Sequence, residues 1–262
     1  MFKWDAEEYQ KSSSAQQKWA RELITKMDLQ GSEGVLDIGC GDGKVTSEIA
    51  TNLKDGCIVG IDSSIDMIEL ATRTFPLKEH PNLHFKLKDF QEIDYNSEFD
   101  LIFSNAALHW IKGHGDILKR IQKSLKPDGR ILIQMGGKGN AQKILYLADE
   151  IITEEKWNNY FQGFTFPYGF YGPKKYIKWL NEANFKPVRV ELISKVMVQK
   201  GVEGLKSWIR TVWLPYTQRI PENLQEDFID ELATRYIEQN PLDNEGMVKV
   251  NMVRLEVEAF KG

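Results

Sequence analysis

Three glycines fall within Asp37-Ile38-Gly39-Cys40-Gly41-Asp42-Gly43, and this stretch constrains the chain more than any other. It follows a strand-like run, Val35-Leu36-Asp37-Ile38, and opens a helix-like one over 44–53. A strand that passes through glycines into a helix lets backbone approach a ligand closely and aims amide N–H groups at it. The flanking pattern repeats. The spacing predicts strands at 57–61, 83–87, 99–103 and 130–135, with helices from Ser64 to Phe75 and over 115–125. The turn Lys126-Pro127-Asp128-Gly129 precedes the fifth strand. Strands alternating with helices at this interval predict a doubly wound α/β fold, a mostly parallel Rossmann-like sheet covered on both faces.

Ahead of this core, Ala15, Trp19, Leu23 and Met27 recur every four residues and predict an amphipathic helix over 8–28. Beyond it the rhythm changes. Residues 140–184 read as helical and rich in aromatics, and a strand follows at 186–194. Helices are expected near 202–213 and 221–239, and a last strand over 247–258 with Val248, Val250 and Met252 on one face. The expected organisation is an N-terminal helical lid (1–29), a ligand-binding core (30–139) and a helical aromatic cap insertion (140–184). Late sheet strands (185–262) carry further cap helices at 200–240.

Composition narrows the classes. The 262 residues carry a net charge of −4 with no basic cluster, which argues against a nucleic-acid partner. Apolar runs are strand-sized, too short to span a membrane. The N-terminus is charged where a signal peptide needs an apolar stretch, so a cytoplasmic protein, monomer or homodimer, is expected. Two cysteines and four histidines do not suggest a metal site.

The charges in the glycine turn bear on its ligand. Asp37 and Asp42 flank the glycines and would repel a pyrophosphate, which disfavours a dinucleotide such as NAD. A ligand with an ammonium and a sulfonium but no phosphate suits the turn better, and S-adenosylmethionine is such a ligand. Asp62 ends the second strand, 21 residues after Gly41, where a carboxylate can accept hydrogen bonds from both ribose hydroxyls. Asp89 follows the third strand and could meet the adenine amino group, with the Phe90 N–H beside it. Helix capping for Asp62 and a solvated loop for Asp89 are the bland alternatives. Gly39, Gly41, Ser63, Met67 and Asn105 complete the expected cofactor set.

In this order these residues resemble the class I S-adenosylmethionine-dependent methyltransferases. The likeness covers 30–136 by motif and implies a seven-stranded sheet with its last strand antiparallel. Ser104-Asn105-Ala106-Ala107-Leu108-His109-Trp110, with Trp4-Asp5 and Tyr9 near the N-terminus, is similar to the trans-aconitate and juvenile hormone acid methyltransferase group. Those enzymes esterify a carboxylate on a small molecule. In the second, a Tyr-x3-Asn-x2-Gln run and the tryptophan of Leu-His-Trp contact that carboxylate. Here the run is Tyr9-x3-Ser13-x2-Gln16, so the resemblance implies substrate roles for Tyr9, Gln16 and Trp110, and Ser13 departs from it.

Methyl transfer to a carboxylate needs no general base, because the nucleophile is already ionised at neutral pH. A phenol, amine or carbon nucleophile would need one, and His109 is the base candidate. Its alternatives are substrate contact or loop packing. His80, His84 and His114 read as surface-loop residues. Tyr168 and Tyr171, in a Gly- and Pro-rich loop, are candidates to line a substrate pocket. Arg210, among aromatics, either clamps a substrate carboxylate or stacks on Trp213 at the surface. The expected function is small-molecule carboxyl O-methylation. The alternatives are C-, N- or phenolic O-methylation, or a non-catalytic S-adenosylmethionine-binding subunit.

Overall fold

The computed structural model describes residues 14–262, with side chains from residue 17 onward. Tyr9 and Ser13 lie outside the described residues, as does the side chain of Gln16.

Seven strands form one sheet: β1 Gly34–Ile38, β2 Cys57–Asp62, β3 Leu83–Leu87, β4 Phe99–Asn105, β5 Leu125–Gly136, β6 Phe185–Lys200 and β7 Met247–Lys261. Their order is β3-β2-β1-β4-β5-β7-β6. The pairs β1–β2, β1–β4, β2–β3 and β4–β5 are parallel, and β7 runs antiparallel to β5. The order reverses between β1 and β4, so the crevice for a ligand opens at the carboxyl ends of these two strands. The fifth strand starts earlier than expected. Lys126–Gly129 bulges inside it, because the register with β4 jumps from Phe99↔Leu125 to Leu101↔Arg130.

The chain divides into two compact units. One comprises residues 16–138, 168–193 and 254–262, and the other, of the described residues, 14–15, 139–167 and 194–253. In the first, α1 (Ser14–Ile24), α2 (Lys44–Ala50), α3 (Ile65–Thr74), α4 (His114–Ser124) and α6 (Pro173–Glu182) accompany the sheet. Leu23 and Met27 share a core with Val35, Leu101, Phe103 and Leu132, which is why the four-residue spacing was legible. Tyr176 and Leu180 of α6 enter the other core with Ile117 and Ile121 of α4. The structure therefore divides the expected 140–184 insertion near residue 167, because the apolar face of α6 belongs to the sheet unit.

The second unit contains α5 (Gln142–Ile151), α7 (Gly201–Val212), α8 (Leu214–Thr217) and α9 (Glu222–Gln239). Its core is aromatic. Phe228 packs 5.3 Å from Trp157 and 6.0 Å from Phe161 between ring centroids, and Trp208 meets Trp213 edge-on at 5.4 Å. The Trp157 indole N–H donates to Glu231, and the Tyr216 hydroxyl to Asp149. Most aromatics of this stretch are core residues, and Trp157 and Tyr216 keep a hydrogen bond at the polar end.

A buried charge fixes the segment after α1 to the sheet. Glu256 of β7 is 1% exposed and accepts from Lys26 (2.5 Å), from Gln134 (3.0 Å) and from Arg189 of β6. Burial lowers the Lys26 pKa most, and the Arg189 charge lowers it further. Removing one partner of such a group leaves the others desolvated without compensation. Glu256→Ala should therefore cost about 3 kcal/mol, the lower end of the range for a buried pair because Lys26 and Arg189 keep some water. Urea denaturation checks this, and a loss below about 1 kcal/mol would show the cluster to be incidental.

Candidate active site

The glycine turn closes directly onto β2. The Gly39 and Cys40 N–H groups donate to the Ile61 carbonyl at 2.8 and 3.0 Å. A Cβ on Gly39 would sit 2.2 Å from the Ala107 Cβ, so this glycine permits close approach of the loop after β4. Gly41 is different. Its φ is +53°, and among the described residues no heavy atom lies within 4 Å of where its Cβ would be. The Gly41 N–H donates to Asp62 Oδ2 at 3.0 Å and the Ser64 N–H to Asp62 Oδ1 at 2.9 Å, so Asp62 ties the turn to the start of α3. Ser63 adds a backbone bond to the same carboxylate.

Acids follow one another along this edge. Asp37 is 2% exposed and accepts from the Thr46 hydroxyl at 2.7 Å. Burial pushes its pKa up to about 7, the Thr46 bond opposes this, and the Asp62 charge adds to it. Burial likewise raises Asp62, its backbone bonds resist, and the Asp89 charge raises it further. Asp89 caps the short turn Phe90–Glu92, with Oδ1 accepting from the Gln91 N–H at 2.8 Å. Asp42 pairs with Lys44 at 3.0 Å, so part of its charge is compensated. Phe90 turns its ring into the core with Ile38 and Ile61. Met67 is buried in the first turn of α3, and Asn105 ends β4 half-buried.

Past Asn105 the chain makes the short turn Leu108–Trp110. His109 is 6% exposed and packed among rings: Trp110 at 5.2 Å, Phe170 at 5.8 Å and Tyr168 at 6.2 Å between centroids. Burial holds its pKa well below the usual histidine range, and the charges of Arg254 and His114 lower it further. Its Nδ1 has no hydrogen-bond partner among the described residues. The Trp110 indole N–H donates to the Ala106 carbonyl at 3.0 Å, and its ring meets Tyr168 edge-on at 4.7 Å. A bond from the Gly169 N–H to the His109 carbonyl (2.8 Å) fixes the 168–170 loop against this turn.

The structure thus brings His109, Trp110 and Tyr168 together at the carboxyl end of β4. Two other candidates have partners of their own. Tyr171 packs against His114 (4.9 Å) and Trp179 (4.7 Å) in another cluster. Arg210 lies in the helical unit with its fork on Glu226, at 2.7 Å through both nitrogens, so that guanidinium is already engaged by a carboxylate. The surface-loop reading of His114 is corrected. It is fully buried as the first residue of α4, with Nδ1 3.3 Å from the Tyr176 hydroxyl, and burial depresses its pKa to about 4.

Sequence reasoning passed over Arg254. It extends the buried face Val248, Val250, Met252 of β7, and a charge in that apolar alternation was the available signal.

A family model for a methyltransferase domain matches residues 29–184, more than half of the chain. The chain is a class I S-adenosylmethionine-dependent methyltransferase. It is 31% identical to an uncharacterized methyltransferase of Schizosaccharomyces pombe, over 84% of each chain. It is 30% identical to a trans-aconitate 2-methyltransferase of Deinococcus radiodurans, over 87% of each. Among solved structures, the YcgJ protein of Bacillus subtilis superposes with a TM-score of 0.62 at 15% identity, covering 92% of this chain and 97% of that one, a likeness of fold.

S-adenosylmethionine is the cofactor of this methyltransferase. The crevice fits it on the structure's own terms. Among the described residues nothing fills the space beside Gly41, and a cationic ligand would relieve the buried Asp37 and the half-buried Asp62, whose pKa values are both raised. Among the described residues no group of His, Cys, Asp and Glu is arranged to hold a metal, and no helix is long and apolar enough to cross a membrane.

The raised Asp37 carboxyl sets a pH dependence. The folded state holds its proton up to about pH 7 while the unfolded chain loses it near 4, so between these values the folded state binds more protons. Stability of the ligand-free methyltransferase should therefore fall as pH rises through that window, by at most about 4 kcal/mol at ~1.4 kcal/mol per unit. Asp37→Asn should flatten the dependence and raise stability at pH 8 relative to the parent. Denaturation at pH 5 and pH 8 checks this, and an unchanged slope in the variant would remove Asp37 as its source.

Proposed function

We propose that this methyltransferase esterifies a carboxylate of a small molecule. The observation that carries the reading is the environment of His109, the titratable ring beside the end of β4. It is enclosed by Trp110, Tyr168 and Phe170 and held far below the pKa at which imidazole is an effective base near neutral pH. A site with so weak a base suits a nucleophile that is ionised without help, and a carboxylate is one. The name of the Deinococcus radiodurans relative, a trans-aconitate 2-methyltransferase, agrees with an acid as substrate.

When bound, S-adenosylmethionine supplies a methyl group already activated by its sulfonium. The chain's task is alignment and exclusion of water, and alignment alone is worth about 7–11 kcal/mol. Asp62 would accept from the ribose hydroxyls, Asp89 and the Phe90 N–H would meet the adenine, and Asp37 would face the cofactor's ammonium through the glycine turn. Gly39, Gly41, Ser63, Met67 and Asn105 would shape that bed. Tyr168, Trp110 and His109 would wall the acid away from water, and Tyr9 and Gln16 would contact it.

A pH–rate profile tests this, together with His109→Gln and the chemistry of the product. With no base engaged, the profile reports the ionisation of the nucleophile itself. The rate should be flat from pH 6 to 8, His109→Gln should lose less than about tenfold, and the product should release its methyl group in mild alkali. A rate that climbs tenfold per pH unit would indicate a phenol or an amine. A loss of about 10²–10⁴ in the variant would restore the general base.

A further inference from the structure

Arg254 carries a guanidinium on the buried face of β7. It is 3% exposed and stands on β7 opposite Gly136, the last residue of β5, at the carboxyl edge of the sheet. The register carries its position onto the site. Asn105 pairs with Gln134, Gln134 with Glu256, and Gly136 with Arg254, so Asn105 and Arg254 stand on the same face of the sheet. The guanidinium carbon lies 5.4 Å from the centroid of Trp19, and its charge reaches the His109 ring.

The strand order gives the carboxyl edge a polarity. Asp89 follows β3, Asp62 ends β2 and Asp37 lies near the end of β1, the rings around His109 follow β4, and Arg254 lies beyond them at β5 and β7. The negative end suits a cationic methyl donor. The positive end, past an aromatic wall, suits an anion. Arginine stays charged at any working pH and presents a planar fork matched to a carboxylate.

We propose that Arg254 holds a non-reacting anionic group of the substrate and so sets the enzyme's preference among acids. This rests on the carboxyl-methylation reading. In that reaction a carboxylate oxygen forms a bond to the methyl carbon as the carbon–sulfur bond breaks, and the electron pair leaves on sulfur. Both opposite charges vanish, and no proton moves. A cation clamped on the reacting carboxylate would stabilise the ground state more than the transition state and slow the step. A cation on a group that keeps its charge throughout binds both states equally and orients the molecule. Arg254 therefore acts on binding rather than on turnover.

The test uses the full chain saturated with S-adenosylhomocysteine and two probe acids, trans-aconitate with three carboxylates and crotonate with one. Calorimetry should show that the parent prefers trans-aconitate. Arg254→Gln should weaken trans-aconitate about 10- to 150-fold, as expected for one charge-assisted contact, and crotonate less than threefold. Arg254→Lys should retain part of the preference, since it keeps the charge without the fork. Steady-state kinetics on trans-aconitate should show KM raised and kcat nearly kept. S-adenosylhomocysteine affinity in both variants reports whether the site is intact. If Arg254→Gln fails to fold, the parent's preference and Arg254→Lys carry the test.

No preference of the parent for trans-aconitate overturns the assignment. So do equal losses for both acids, a fall in kcat at constant KM, or a parallel loss of S-adenosylhomocysteine affinity. A methylated product stable to alkali would sink the esterification reading and leave the binding result for Arg254 standing.

Discussion

The Asp62 carboxylate is the clasp on which the cofactor crevice depends. One oxygen takes the N–H of Gly41 and the other that of Ser64, so a single side chain at the end of β2 ties the turn after β1 to the start of α3. Burial works against this charge and the backbone donors support it, and the balance leaves Asp62 with a raised pKa in the ligand-free protein. Asp37 is in the same condition below the turn. The crevice thus carries an electrostatic cost that a cationic ligand relieves. This explains why carboxylates flank glycines that in a dinucleotide site would face phosphates.

Sheet topology turns these local facts into a site. Because the order reverses between β1 and β4, the ends of both strands face one crevice, and the residues after β4 form its wall. That wall consists of rings. His109 lies between Trp110 and Phe170, and the loop bond from Gly169 keeps Tyr168 against them. Rings exclude water and leave imidazole neutral, and in the proposed esterification alignment rather than proton transfer would do the catalysis.

Most of the fold was legible because its signals are local. The glycine turn, the strands of four to six residues and the four-residue spacing of Trp19, Leu23 and Met27 each reflect one element burying one face. The places of the three acids were legible for the same reason, since Asp37 lies in a strand, Asp62 ends one and Asp89 follows one. The rest depends on contacts distant in sequence. Nothing near His114 in the chain announces that Tyr176, 62 residues away, will cover it. Tyr168 and Tyr171 are three residues apart, yet one packs on Trp110 and the other on Trp179, a division set by the bond at Gly169. The sequence leaves Arg210 open between a clamp and a cation on Trp213, because Glu226, its partner, lies a helix away. Arg254 was visible as a charge on an apolar strand face, but only pairing with β5 puts it at the edge of the site.

The central claim, that the Asp62 clasp builds and lines the cofactor crevice, is tested most directly by titrating S-adenosylhomocysteine into Asp62→Ala by calorimetry. Circular dichroism would confirm that the sheet is intact. The variant loses the acceptor for the backbone donors Gly41, Ser63 and Ser64 and for the ribose hydroxyls, and hydrogen bonds to a charged acceptor are worth about 1.5–3 kcal/mol each. Affinity should fall by at least about 100-fold in a folded protein. Affinity equal to the parent's in a folded variant would contradict the account.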